Sequence, residues 1–243
     1  MIGQLRSELL KARTTRTVTL LLLGAAGLTL LGVLVEGLSP TTAKLAHEHT
    51  QRSVFSAATG GVFLATIAGL ITVTSEFRYG TIHPTLLFEP RRRVVLAAKL
   101  ACAALAGLLF GLICVGVSFG GGLAVLAARN VDVTLSAQHT LTLVLGPIAA
   151  SALSAMAGVA VGTLIRNQAG AIVAFAAYAF AVDAVLFSSL PAVGRYLPGK
   201  AGDALAGVPR EHLLAPALGA AVLAAWMLAL IAAATVRSDR SDV

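Results

Sequence analysis

Six long apolar runs, separated by short stretches that carry nearly all the charge, constrain this chain more than any other feature. They occupy 18–38, 54–74, 94–128, 141–165, 169–190 and 213–236. About 20 apolar residues let a helix cross the hydrocarbon core of a bilayer, where backbone amides must be bonded within their own segment. A soluble domain has no interior large enough for so many such runs. The composition agrees. Only 12% of residues are charged, about half the share of an ordinary soluble domain, and the mean hydropathy is +0.87. Ala, Leu, Val and Gly dominate and aromatics are 5%, which suits helices better than the aromatic-girdled strands of a barrel. The expected fold is an all-α membrane protein with six transmembrane helices, forming one domain over 1–243.

A net charge of +7 would suggest nucleic acid in a soluble protein. Here Lys and Arg gather at the ends of the runs, where they report topology instead, and no nucleic-acid partner is expected. With the first residues in the cytoplasm, the inner side holds Arg6, Lys11, Arg13, Arg16, Arg78, Arg91, Arg92, Arg93, Lys99, Arg166, Arg237 and Arg240. The outer side holds Lys44, Arg52, Arg129, Arg195, Lys200 and Arg210. Twelve against six favours both termini inside, and an even number of spans agrees by putting them on one side. The first run follows basic residues as a signal peptide would. It is long for such a segment, however, and no small-residue cleavage site follows Val35, so it reads as a retained span.

Between the runs, 2–16 sets Ile2, Leu5, Leu9 and Leu10 against Arg6, Glu8, Lys11 and Arg13, the pattern of an interfacial amphipathic helix. The stretch 191–212 is too apolar for a free loop and too broken by Gly and Pro for a span, and reads as a re-entrant or interfacial helix pair on the outer side. The third run is long, and Gly120, Gly121 and Gly122 are expected to bend or break it. Cys102 and Cys114 share that run about 18 Å apart if it is helical, too far to pair, and read as small core residues. Small residues recur at helix-packing intervals: Gly107 with Gly111, Gly116 with Gly120, and the row Ala150, Ser154, Gly158, Gly162. That row would serve a contact within the chain or between two copies.

Catalytic chemistry is hard to find. No GxxxxGK[ST] phosphate loop occurs; Gly199-Lys200 is followed by Ala201. His47-Glu48-His49 has Gln51 where a HExxH metal site needs its second His, so a solvated loop is expected there. No Gly-x-Ser-x-Gly elbow is present. Asp183 is the one carboxylate well inside a run; it either faces a cavity or partner or reaches for the outer interface. Glu36 is expected at the outer interface and Lys99 is expected to snorkel to the inner one.

The remaining polar piece is 75–93, SEFRYGTIHPTLLFEPRRR. Thr74 or Ser75 can cap a short helix starting at Glu76, limited by Gly80 and Pro84, and Arg91, Arg92 and Arg93 would anchor the next span at anionic headgroups. A positive-inside loop explains the arginines. It does not explain Glu76, Tyr79, Phe88 and Glu89 in the same Pro-limited frame, which suit docking of a soluble partner.

These residues are familiar. SEFRYGTIHPTLLFEPRRRVVLAAKL resembles the first cytoplasmic loop of permease subunits of type-2 ABC exporters, especially the actinobacterial kind, with an SE-[FY]-R-x-G-T-I-x-P-T-L-L core before a P-R-R turn. The N-terminal SELLKARTTRT is similar to the interfacial helix of that family, and LPAVGRYLPGKAGDALAG to its re-entrant region. The resemblance implies a dimer of six-span subunits, each bound to a separate ABC ATPase that carries ATP and Mg; this chain would bind no cofactor and catalyse nothing. A coupling helix around Glu76, Phe77, Arg78, Tyr79, Gly80 and Thr81 would sit in a groove of that ATPase. Glu76, Arg78 and Tyr79 would make the contacts. Spans two and five would line the path, bringing in Asp183, Thr66 and Tyr178. The expected function is export of an amphipathic or lipophilic molecule (drug, antibiotic or lipid-like) across the cytoplasmic membrane of a bacterium. Rivals are an ATP-independent channel or secondary transporter, which would want more intramembrane charge; a membrane enzyme; and an anchor that recruits a cytoplasmic protein without transport.

Overall fold

A computed structural model describes residues 3, 7, 8, 10, 11, 15–81 and 91–239. Among them every regular element is helical. Six helical stretches are long and apolar enough to cross a membrane: Arg16–Leu38, Glu48–Arg78, Arg92–Ala128, Ala137–Ile165, Gln168–Ser189 and Pro216–Asp239. We call them spans one to six. The all-α, six-span architecture is that expected from the apolar runs, with helices that outlast the runs because their polar ends find partners in the protein.

Span two shows this best. The helix Glu48–Ser56 leads through a tight turn at Ala57–Thr59 into Gly60–Arg78, so the His47-Glu48-His49 stretch opens a helix and is not a solvated loop. The Glu48 carboxylate accepts from the Ser136 amide at 3.0 Å and lies 2.7 Å from His139 Nδ1. Gln51, fully buried, donates to the carbonyls of Leu45 (3.2 Å) and Asp132 (2.8 Å) and accepts from the Thr134 amide (2.9 Å).

Span three runs for 37 residues without interruption. At 1.5 Å per residue that is about 55 Å, far more than the roughly 30 Å hydrocarbon layer requires. The glycine run at 120–122 does not break it. A Cβ on Gly122 would lie 2.6 Å from the Phe55 ring, and one on Gly121 3.3 Å from Val33. Those glycines let neighbouring helices come close, and the neighbours hold the helix where isolated glycines would loosen it.

Spans two, three and four make up the centre, and spans one, five and six lie around them with most side chains exposed. Glycine sets the central seams. A Cβ on Gly69 would overlap the Ala155 carbonyl, and one on Gly158 the Thr66 carbonyl; on Gly107 it would lie 2.5 Å from the Ser151 carbonyl, and on Gly111 2.5 Å from Ile148 Cα. Gly158 and Gly162 of the small-residue row therefore serve the contact with span two of the same chain. Gly116 and Gly120 face open space.

Polar links sort the ends. At the near end, Arg92 donates to the Ser238 carbonyl at 2.8 Å, Arg93 pairs with Asp239 at 2.7 Å and Arg78 donates to Gln168 at 3.3 Å. At the far end, Arg129 donates to the carbonyls of Gly37 (3.0 Å) and Pro40 (2.7 Å), capping span one. Glu8, Lys11 and the end of span six all lie at the near end. The far-end stretch after span five forms two short helices, Pro191–Gly194 and Pro198–Leu205, the latter packed on spans four and six.

Candidate functional site

Span two ends at the near end in a glycine turn. Gly80 takes φ +67°, and the Thr81 amide reaches back to the Glu76 carbonyl at 3.0 Å, the bond that closes a left-handed helix cap. Glu76, Phe77 and Arg78 thus form the last turn of the span, not the start of a separate short helix: nothing interrupts the helix at Thr74 or Ser75 to begin a new one. Past that turn, Tyr79 is 71% exposed, with the Arg78 guanidinium 5.6 Å from its ring centre. Pro84, Phe88, Glu89 and Pro90 lie outside the described residues. Arg92 and Arg93, expected at headgroups, are tied to the end of span six, although the Arg93 side chain remains 75% exposed.

Glu76 departs from its expected role as a docking contact. Its carboxylate is turned inward, where the Lys99 ammonium reaches Oε1 at 2.7 Å and the Lys11 ammonium reaches the same oxygen at 2.9 Å. Lys99 also pairs with Glu8 Oε2 at 3.0 Å, and Lys11 with Glu8 Oε1 at 3.1 Å. The side chains of Glu8, Glu76 and Lys99 are 1%, 6% and 3% exposed. Lys99 therefore does not snorkel: two buried carboxylates hold its ammonium inside the protein. Likewise the polar face of the N-terminal helical residues is turned to protein at Glu8. Partial burial pulls the Lys11 ammonium down, but its bond and attraction to Glu76, and then to Glu8, outweigh this and hold it above the ordinary lysine value. Two acids and two bases make the cluster neutral. Glu76 Oε2 is buried and accepts no hydrogen bond among the described residues.

A second cluster lies toward the far end. Span five changes to a π-turn over Tyr178–Val182, and Asp183 comes directly after it. The extra residue of a π-turn rotates the side chains beyond it about the helix axis, and here Asp183 faces the helix Pro198–Leu205. Its carboxylate, 6% exposed, accepts from the Tyr178 hydroxyl at 3.2 Å and pairs with Lys200 at 3.2 Å. Lys200 also pairs with Asp203 at 3.0 Å and lies 5.5 Å above the Phe187 ring. A Cβ on Gly199 would lie 2.7 Å from both Asp183 oxygens, so a larger residue there would push the carboxylate from its place. Asp183 is thus held inside the protein and does not reach for the interface. Thr66, expected on a path, is buried in the seam with span four, its hydroxyl donating to the Val62 carbonyl at 2.8 Å. Sequence reasoning missed the Glu8–Lys99–Glu76 grouping. Its one signal in the sequence is a lysine within an apolar run, which demands a partner without naming it.

Residues 4–182 match the family model described as ABC-2 family transporter protein. The chain belongs to that family. It is a multi-pass membrane component, the permease part of an ABC transporter. No curated protein matches its sequence significantly. The matched stretch takes in Glu8, the end of span two and Lys99, and stops at the end of the π-turn, so the near-end cluster lies within the part shared with the ABC-2 family and Lys200 lies beyond it.

Proposed function

We propose that this ABC-2 permease forms the path of an exporter for amphipathic or lipophilic molecules, driven by ATP hydrolysis, with Mg, on a separate ABC ATPase subunit. The near end faces the cytoplasm, with both termini on that side of a bacterial cytoplasmic membrane. Its docking surface is Arg78, Tyr79, Gly80 and Thr81. Glu76 and Phe77 support that turn from within; Arg91 and the exposed part of Arg93 meet the headgroups, while Arg92 ties the following span to span six.

The observation that carries the reading is an exposed aromatic and cation, on a glycine-closed turn, at the end of a span buried in the centre of a family-typed permease. Movement imposed on that turn passes directly into the span that packs most closely on span four. A lipophilic cargo fits the exposed apolar side chains of span five, Val173, Phe180 and Val185. Span five, bearing Val173 and Phe180, is the face on which a second copy of the chain would pack, with lipid around the rest. Tyr178 then bounds the outer part of the path, with Asp183 holding its hydroxyl from within the protein, while Thr66 acts only through the seam.

A channel or secondary transporter would need charge along a path. Lys99 and Asp183 are each consumed in pairs, which weighs against that rival. Proteoliposomes preloaded with a fluorescent lipophilic amine make the test. The expected result is dye movement only when permease, ATPase and Mg-ATP are all present. Movement through the permease alone would favour the channel reading.

A further inference from the structure

Lys99 lies on span three, yet the cluster it centres gathers three segments distant in sequence. Glu76 belongs to the last turn of span two, the turn that carries Arg78 and leads into Tyr79, and Glu8 to the N-terminal helical residues. Glu76 and Lys99 also bracket the connection between spans two and three, so their bond ties together the two stems from which the docking turn projects. Burying such a cluster is a poor route to stability, because desolvation of each ion offsets the attraction. The unbonded Glu76 Oε2 adds to the cost. Apolar packing would hold these helices together as well. What charge supplies instead is one permitted arrangement: the ammonium must meet both carboxylates, and that fixes the rotation of the last turn of span two.

We propose that Lys99 is a positioning residue for docking of the ATPase. By holding Glu8 and Glu76 it fixes the last turn of span two, and with it the direction in which Arg78 and Tyr79 are presented. Lys99 and Glu8 are too deeply buried to touch a partner themselves. This rests on the permease reading above. It adds that docking strength depends on a residue near the N-terminus that the partner never meets.

The test uses the full-length permease in lipid nanodiscs and the ATPase that copurifies with it. Binding is measured for the unaltered chain, for Glu8→Gln alone, for the neutral set Glu8→Gln/Lys11→Gln/Glu76→Gln/Lys99→Met, and for Lys99→Arg. Thermal unfolding and hydrogen exchange of 76–81 are measured alongside, with 137–165 as the reference segment. The neutral set should unfold at nearly the same temperature, exchange faster at 76–81 only, and bind the ATPase about tenfold or more weaker, within the usual range of coupling between separated sites. Glu8→Gln should shift both readouts in the same direction, and Lys99→Arg, which keeps a charge for both carboxylates, should retain binding. Unchanged affinity and unchanged exchange in the neutral set would overturn the proposal. So would a neutral set that loses binding only together with global stability, if Glu8→Gln leaves exchange at 76–81 untouched. An unaltered permease that binds no ABC ATPase at all would overturn the permease reading itself, a result distinct from either of these.

Discussion

Glycine at 158 leaves room for the Thr66 carbonyl to lie against span four, and no other residue type does. Gly158→Ala forces the central spans apart, and overpacking of this kind costs about 1–3 kcal/mol. Gly116→Ala fills open space and removes a flexible helical position, so it should be neutral or stabilising by up to about 1 kcal/mol. Denaturant titration of the two variants in one detergent should separate them in that order; equal destabilisation would mean that the seam does not depend on glycine. The spacing of Ala150, Ser154, Gly158 and Gly162 is plain in the sequence, but not the partner. A small-residue row says that something approaches closely, and either span two or a second copy satisfies that condition. The charged residues are legible in the same limited way. Lys99 and Asp183 stand out as costly inside apolar runs, while Glu8 and Lys200, which pair with them, sit 91 and 17 positions away by number, where no periodicity points.

Helices whose ends are polar run farther than their apolar runs suggest. Span two gains Glu48–Ser56 because Glu48 and Gln51 bond backbone and side chains of the connection after span three, a condition that hydropathy does not register. Span five is two helices joined by a π-turn, and no residue pattern marks that turn; it makes sense only once Asp183 is seen against Lys200 and Gly199. The far-end cluster should therefore behave as a unit. Lys200→Met leaves Asp183 buried without its cation, and breaking a buried pair from one side costs about 3–5 kcal/mol. Adding Asp183→Asn should restore much of that loss, because the acid then left without Lys200 is Asp203, whose side chain is a quarter exposed. Unfolding midpoints of the single and double variants decide the matter. If the double variant is no more stable than Lys200→Met, the pair does not bolt the helix Pro198–Leu205 to span five.

At the scale of the molecule, the number of spans and their order are set by hydropathy, and the placing of both ends on one side agrees with the count of Lys and Arg. The arrangement of a buried centre of three spans with three around it is not legible in this way, since all six runs are about equally apolar and only packing distinguishes them. The docking turn is legible as a place, and its inward-facing acid is not: Glu76 looks like a surface residue until Lys99 is found beside it. The central claim is that this permease binds an ABC ATPase through the turn at Arg78 and Tyr79. The direct measurement is mild-detergent purification of the tagged chain from its native membranes, with mass spectrometry of the proteins that accompany it, for the unaltered chain and for Arg78→Glu/Tyr79→Ala. The account predicts a stoichiometric protein bearing a GxxxxGK[ST] loop with the unaltered chain, and its loss from a normally folded double variant. The same ATPase retained in full by the double variant, or none found with the unaltered chain under several mild conditions, would contradict it.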